Sequence, residues 1–271
     1  MSPLEGPFCL EGQVAVVVGG TGVLGGAMAK GLAAAGAKVA VVGRSVERGD
    51  RVVEAILAAG GQGLFVAADA CLRQQLELAH STIADAIGAP DILVNAAGGN
   101  DPRVTVTEEL AFEEIELSAW NDSFELNLAA GVLLPCQIFG PPMVAAGAGS
   151  IINIASITAH VPLSKVVAYS AAKAAVVSLT QFLAREWAPH VRVNSITPGF
   201  FPGEQNRRLL FDESGQPSVR GRQILGHTPM DRFGEPEELI GAALFLASQK
   251  ASSFVTGTDV RVDGGFLATT I

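Results

Sequence analysis

Val14-Ala15-Val16-Val17-Val18 runs directly into Gly19-Gly20-Thr21-Gly22-Val23-Leu24-Gly25-Gly26, and an alanine-rich stretch follows. Five apolar residues in a row read as a strand buried on both faces. The alanine-rich stretch, about 25–35, reads as a helix. Between the two, Gly20, Gly22 and Gly25 have the GxGxxG spacing. That spacing is weak evidence alone and strong evidence between a first strand and a first helix. Glycines there permit a tight turn and let the main chain approach a pyrophosphate, which then rests on the helix N-terminus. Gly19, Thr21, Gly22, Val23, Leu24 and Gly25 are therefore expected to bind the phosphates of a dinucleotide.

The same rhythm continues along the 271 residues. Apolar runs at 38–42, 63–67, 92–95, 150–154, 192–197 and 259–262 read as strands. Helical stretches fall at about 46–59, 72–87, 120–145, 166–188 and 236–246. Strand and helix in alternation predict an α/β fold, a doubly wound parallel sheet of Rossmann type. We expect one dinucleotide-binding and catalytic domain over 1–271. Two polar excursions, 98–118 and 199–228, interrupt the rhythm after strands four and six. Long loops in such places are usually functional, so a pocket wall and a lid are expected rather than surface insertions.

Composition narrows the function classes. The chain is 49% hydrophobic and 17% charged, with a net charge of −9 and a mean hydropathy of +0.37. Such a chain buries a large core and is not disordered. No basic patch suggests a nucleic-acid partner. No signal peptide or free-standing apolar span is read, so no membrane association is expected. Cys9, Cys71 and Cys136 are odd in number and widely spaced, which suggests reduced thiols in the cytoplasm. Four scattered histidines offer no metal-ligand spacing, and no metal is expected.

The candidate chemistry lies near residue 160. Tyr169 is the only tyrosine of the chain, and Lys173 follows four residues later. On a helix the phenol and the ammonium share a face. Ser156 stands just after the apolar run Ile151-Ile152-Asn153-Ile154-Ala155. A phenol has a reference pKa of about 10, which a nearby cation should lower toward working pH. Hydroxyl, phenol and amine together are the parts of a proton-transfer site. Thr158 is an alternative to Ser156.

The second strand ends Val41-Val42-Gly43-Arg44-Ser45, with no acid where a ribose 2′-hydroxyl would want one. Arg44 could grip a 2′-phosphate and Ser45 could add a donor. This favours NADP(H), with NAD(H) still open. The alternative is that Arg44 stacks on adenine or faces water.

Taken together these segments resemble the short-chain dehydrogenase/reductase family over essentially the whole chain. The resemblance is carried by the glycine turn, Asp69-Ala70, Asn95-Ala96-Ala97-Gly98, Asn127, Ser156, Tyr169-xxx-Lys173, Pro198-Gly199 and Val262-Asp263-Gly264-Gly265. It implies that Asp69 and Ala70 contact adenine, that Asn95 holds the central strand, and that Ala96, Ala97 and Gly98 line the cofactor, as do Pro198 and Gly199. It implies that Tyr169 is the general acid/base and that Lys173 lowers its pKa and bonds the nicotinamide ribose. Ser156 would orient the substrate oxygen, and Asn127 would hold a water in a proton relay. Three positions depart from the family pattern. Val18 stands where the glycine turn usually begins with Thr, Val23 replaces a second glycine, and Phe200-Phe201-Pro202-Gly203-Glu204 lacks the usual Thr.

Within the family, several stretches resemble the D-mannonate oxidoreductases and fructuronate reductases. They include Ala97-Gly98-Gly99-Asn100, Pro198-Gly199-Phe200-Phe201, Glu204-Gln205-Asn206-Arg207 and His227-Thr228-Pro229-Met230. The resemblance implies a sugar acid reduced at its ketone. Asn100, Gln205, Asn206, Arg207 and His227 are the candidate substrate residues. Arg207 is the expected partner of the carboxylate, unless it and Arg208 begin a lid helix and face solvent. Gluconate 5-dehydrogenase-like and 3-oxoacyl-carrier reductase-like activities are the competing readings, together with a non-catalytic nucleotide-binding protein. The family also implies a homotetramer built through the long helices and the last strand.

Overall fold

The computed structural model describes residues 6–203 and 206–269. Seven parallel strands form one sheet: β1 Val14–Val18, β2 Lys38–Gly43, β3 Gln62–Ala67, β4 Ile92–Asn95, β5 Gly149–Ile154, β6 Val191–Pro198 and β7 Asp259–Val262. Their spatial order is β3-β2-β1-β4-β5-β6-β7. Order therefore reverses between β1 and β4, and a crevice opens beyond the carboxyl ends of the strands on either side of that point. The expected strands agree with the observed ones to within a residue at each end.

Helices cover both faces. They are α1 Val23–Ala34, α2 Val46–Ala58 and α3 Arg73–Ile87, α4 Leu117–Ala146, then α5 Val167–Glu186, α6 Val219–His227 and α7 Ile240–Ala247. Alternation along each strand sorts the core in two. Val17, Val41, Val94 and Ile152 meet Met28 and Leu32 of α1, Ile56 of α2 and Leu246 of α7. Val16, Val42, Leu93 and Ile151 meet Leu76 of α3, Phe139 of α4 and Val176 of α5. Each such Val or Ile side chain removed from water contributes roughly 1.5–3 kcal/mol. This explains why the central strands read as unbroken apolar runs. By length and composition α4 and α5 could also cross a bilayer; here both pack as layer helices on the sheet.

Helix α4 is not regular. Glu125–Leu133 is wound as a π-helix. The stretch ends two residues before Pro135, which has no N–H to give an α-helical bond. Wide turns of this kind concentrate at functional sites, and this one carries Asn127.

Register brings the site together. Val18 pairs with Val42 on one side and Asn95 on the other. The glycine turn, Gly43–Arg44 and Ala96–Gly98 thus leave the sheet at one level. The first excursion holds two short 3-10 turns, Pro102–Val104 and Phe112–Glu114. The second holds a helical turn at Arg207–Leu210, a bridge between Phe211 and Pro217, and α6.

Candidate active site

Two adjoining pockets make a continuous cleft across the carboxyl ends of the strands. They share Gly22, Ala96 and Gly98. One end is lined by Thr21, Arg44, Arg48, Asp69, Ala70 and Ala97. The other is lined by Val23, Leu24, Gly25, Ser156, Tyr169, Lys173, Pro198 and Gly199.

At the middle of the cleft, α1 begins at Gly22 with no side-chain cap. The N–H groups of a first helical turn have no partners within the helix, so they are open to an anion here. The turn cannot be rebuilt with larger residues. Gly19 has φ +81°, and a Cβ there would lie 2.5 Å from Ala97 N. A Cβ on Gly25 would lie 2.4 Å from Gly19 O. The residues present thus fit a pyrophosphate. Gly25→Ala should cost about 1–3 kcal/mol of stability by overpacking, and nucleotide affinity should fall with it. Thermal unfolding and nucleotide titration check both, and unchanged values for the two would show that the turn has slack.

At the far end, Arg44 is exposed and faces Asp69 at 3.9 Å. Asp69 Oδ1 also accepts from Cys71 N at 3.0 Å. Ser45 does not line the cleft. Its Oγ caps α2, accepting from Arg48 N at 3.4 Å. Arg48, not expected from the sequence, lines this end instead. Its place in the first turn of α2, one turn after Arg44, was the available signal. Asn95 is likewise not in the cleft lining. It is buried, and Nδ2 donates to Asn153 Oδ1 at 2.9 Å across β4 and β5. It braces the sheet beneath the cofactor-binding end.

At the near end the expected groups converge. Lys173 is buried, and Nζ donates to Ile154 O at 2.7 Å. The same Nζ lies 5.6 Å from the centroid of the Tyr169 ring. The Ser156 hydroxyl faces the phenol closely enough to lower its pKa and accepts from Thr158 N at 3.2 Å. That main-chain donor leaves the Ser156 proton free to point at the phenol. The Thr158 hydroxyl is buried without a partner, so Ser156 is the hydroxyl that meets Tyr169.

The ionisation of the pair differs from expectation. Tyr169 is open on the cleft side, yet the protein around it is dry enough that burial raises its pKa above the ordinary value. The facing Ser156 hydroxyl lowers it in part. No depression by Lys173 is found. Burial holds the Lys173 ammonium itself down, to about 8, so this cation is strained by its own desolvation.

Asn127 is fully buried. Its Oδ1 accepts from Gly99 N at 2.9 Å, and its Nδ2 donates to Gly99 O and Ser123 O, each at 2.9 Å. The side chain is thus committed to fastening α4 to the loop after β4.

The expected substrate residues mostly fall elsewhere. Asn100 is exposed and donates to Thr105 Oγ1 at 2.8 Å. Arg207 is exposed, with its guanidinium 5.5 Å from the Phe211 ring centroid. His227 stands edge-on to Phe266, centroids 4.5 Å apart. None of these three lines the cleft. Asn206 does, but its amide is spent on Gly203 N and Phe201 O. Gln205 lies outside the described residues. Among the described residues no group of three or more His, Cys, Asp or Glu gathers to hold a metal.

The fold and this cleft define an oxidoreductase that works on a dinucleotide. Residues 21–267 match a family described as enoyl-(acyl carrier protein) reductase. An uncharacterized oxidoreductase of Bacillus subtilis (strain 168), UxuB, is 43% identical over 267 residues, covering 96% of each chain. A provisionally assigned D-mannonate oxidoreductase of Haemophilus influenza, solved with bound NAD, superposes with a TM-score of 0.90 at 39% identity over 97% of each chain. A gluconate 5-dehydrogenase of Burkholderia cenocepacia J2315, solved with NADP and tartrate, gives 0.87 at 32% identity over 97% of this chain and 98% of that one. The chain belongs to the short-chain dehydrogenase/reductase family, and it is an NAD(P)-dependent enzyme.

Proposed function

We propose that this enzyme interconverts a ketone and a secondary alcohol on a sugar acid of the D-fructuronate/D-mannonate type. The observation that carries the reading is the meeting of Ser156, Tyr169 and Lys173 in one cleft, beside the uncapped start of α1. The nicotinamide, when bound, supplies or accepts the hydride. The protein does the rest. Tyr169 gives a proton to the developing alkoxide, or takes it in the reverse direction. Ser156 holds the same oxygen by a hydrogen bond. Lys173 keeps positive charge near the phenol, and the Asn127 main chain anchors a water toward solvent. The excursions 98–118 and 199–228 act as pocket wall and lid of a single catalytic domain.

The sugar-acid substrate is supported by the likeness to the Haemophilus protein. A gluconate 5-dehydrogenase-like activity is the second reading, supported by the Burkholderia enzyme. Progress of NAD(P)H absorbance with fructuronate, 5-ketogluconate and a 3-oxoacyl thioester separates the readings. Fructuronate should give the highest kcat/KM. Cofactor binding without turnover on any of the three would make the chain a nucleotide binder instead.

Cofactor choice follows from Arg44. Its guanidinium is free enough to meet a 2′-phosphate, and no acid ends β2. We expect NADPH to be preferred. Arg44→Asp should lower the NADPH/NADH ratio of kcat/KM by about 10-fold or more, the worth of one charge-assisted contact. An unmoved ratio assigns the residue to solvent.

We place the protein in the cytoplasm as a homotetramer. Apolar Leu117 on α4 and Phe182 on α5 are exposed, and β7 is an edge strand. Light scattering on the purified chain gives the oligomer mass directly.

A further inference from the structure

Helix α5 meets strand β5 and the residues just beyond it at three levels. At the lowest, Asn153 Nδ2 donates to Thr180 Oγ1 at 2.9 Å, and the Thr180 hydroxyl donates to Val176 O at 2.8 Å. One strand residue further, Ile154 O accepts from Lys173 Nζ at 2.7 Å. Just past the end of the strand, the Ser156 hydroxyl faces the phenol of Tyr169 in the cleft. The chain ascends 153, 154, 156 while the helix descends 180, 173, 169. On a helix that turns about 100° per residue, these three helix positions fall within roughly 40° of one another. All three therefore look at the strand.

The lowest level is the deepest. Asn153 is 0% exposed and Thr180 is 1% exposed. Asn153 Oδ1 in turn accepts from Asn95 Nδ2, so the level is backed by β4. The buried residues of α5 include Ala168, Ala172, Val176 and Ala184, which are small. Packing of small apolar groups is non-directional and permits sliding. A hydrogen bond in a dry core does not, because a displaced helix leaves the Asn153 amide unpaired.

We propose that Thr180 and Asn153 are positioning residues whose buried bond sets the register of α5 on β5, and so fixes where the Tyr169 phenol meets Ser156. This rests on Tyr169 being the proton-transfer group. A misplacement of about 1 Å at the reacting groups can cost up to about 100-fold in rate.

The test uses the full-length enzyme and the best substrate of the panel above. Thr180→Val keeps shape and removes the bond. It should lower kcat by about 10- to 100-fold, with nucleotide Kd within about twofold of wild type. Loosening the Ser156 contact removes what lowers the phenol's pKa, so the pH response of kcat should move upward. Thr180→Ser, which restores the hydroxyl, should return both readings to near wild type. Wild-type kcat and pH response in Thr180→Val overturn the proposal, whatever its melting temperature. Should that variant not fold, Thr180→Cys replaces it; its weak S–H should leave kcat below that of Thr180→Ser, and equality overturns the proposal. Tyr169→Phe, assayed alongside, keeps the two ideas apart. Its retained turnover would remove the proton-transfer reading, whereas a fast Thr180→Val beside a dead Tyr169→Phe removes only the positioning role.

Discussion

Tyr169→Phe lowers kcat by roughly 10²- to 10⁴-fold, the range a positioned general acid or base supplies, and leaves nucleotide Kd within about threefold of wild type. The ring is retained, so the packing around α5 is kept. The hydroxyl that is lost is the one that meets Ser156, and no other phenol exists in the chain to replace it. Steady-state kinetics with a fluorescence titration of nucleotide checks both halves. A variant that also loses nucleotide would show that the phenol braces the cleft rather than moving protons.

Lys173→Met is expected to be inactive and more stable. The ammonium, ordinarily near 10.5, is held to about 8 by burial alone. A shift of that size amounts to about 3 kcal/mol of unfavourable desolvation. Below pH 8 the side chain is charged in both folded and unfolded states, so the folded state bears the full penalty. Between pH 8 and 10.5 the unfolded chain binds the extra proton, and stability rises with pH. Above that window both states are neutral and the penalty is gone. Methionine fills similar space without charge, though it gives up the bond to Ile154 O. Denaturant unfolding at pH 7 should show a gain of about 1–3 kcal/mol that vanishes by pH 11. Loss of stability at pH 7 would mean that the Ile154 bond outweighs the buried charge. Turnover should fall by about 10²-fold or more in the same variant. The enzyme thus keeps an unfavourable cation where the reaction needs one.

The sheet was readable because β1 and β4 are buried on both sides and, Asn95 apart, carry only Val, Ile, Leu and Ala, while β5 centres on Ile151 and Ile152. The glycine turn was readable because sterics leave few other choices. Ser156, Tyr169 and Lys173 could be named from spacing and resemblance, since Tyr169 and Lys173 ride one helix and Ser156 directly follows a strand. Arg207, Asn100 and His227 could not be placed that way. Their placement depends on packing that spacing does not show, such as Phe266 beside His227. Ser45 caps α2 because a serine before a helix serves its own main chain first. The raised Tyr169 was hidden because desolvation depends on three-dimensional surroundings, whereas the i, i+4 amine is visible in one dimension.

The wide winding at Glu125–Leu133 makes the length of α4 unforgiving. It behaves as a one-residue insertion absorbed in place. Excising a single residue there would return the helix to its ordinary pitch with Leu134–Ala146 still in phase, and would close the wide turn that carries Asn127. The Asn127 fastening to Gly99 would then come undone. Natural variants of this enzyme should therefore change length in the loops on either side of α4 and keep the count between Asn127 and Pro135 fixed.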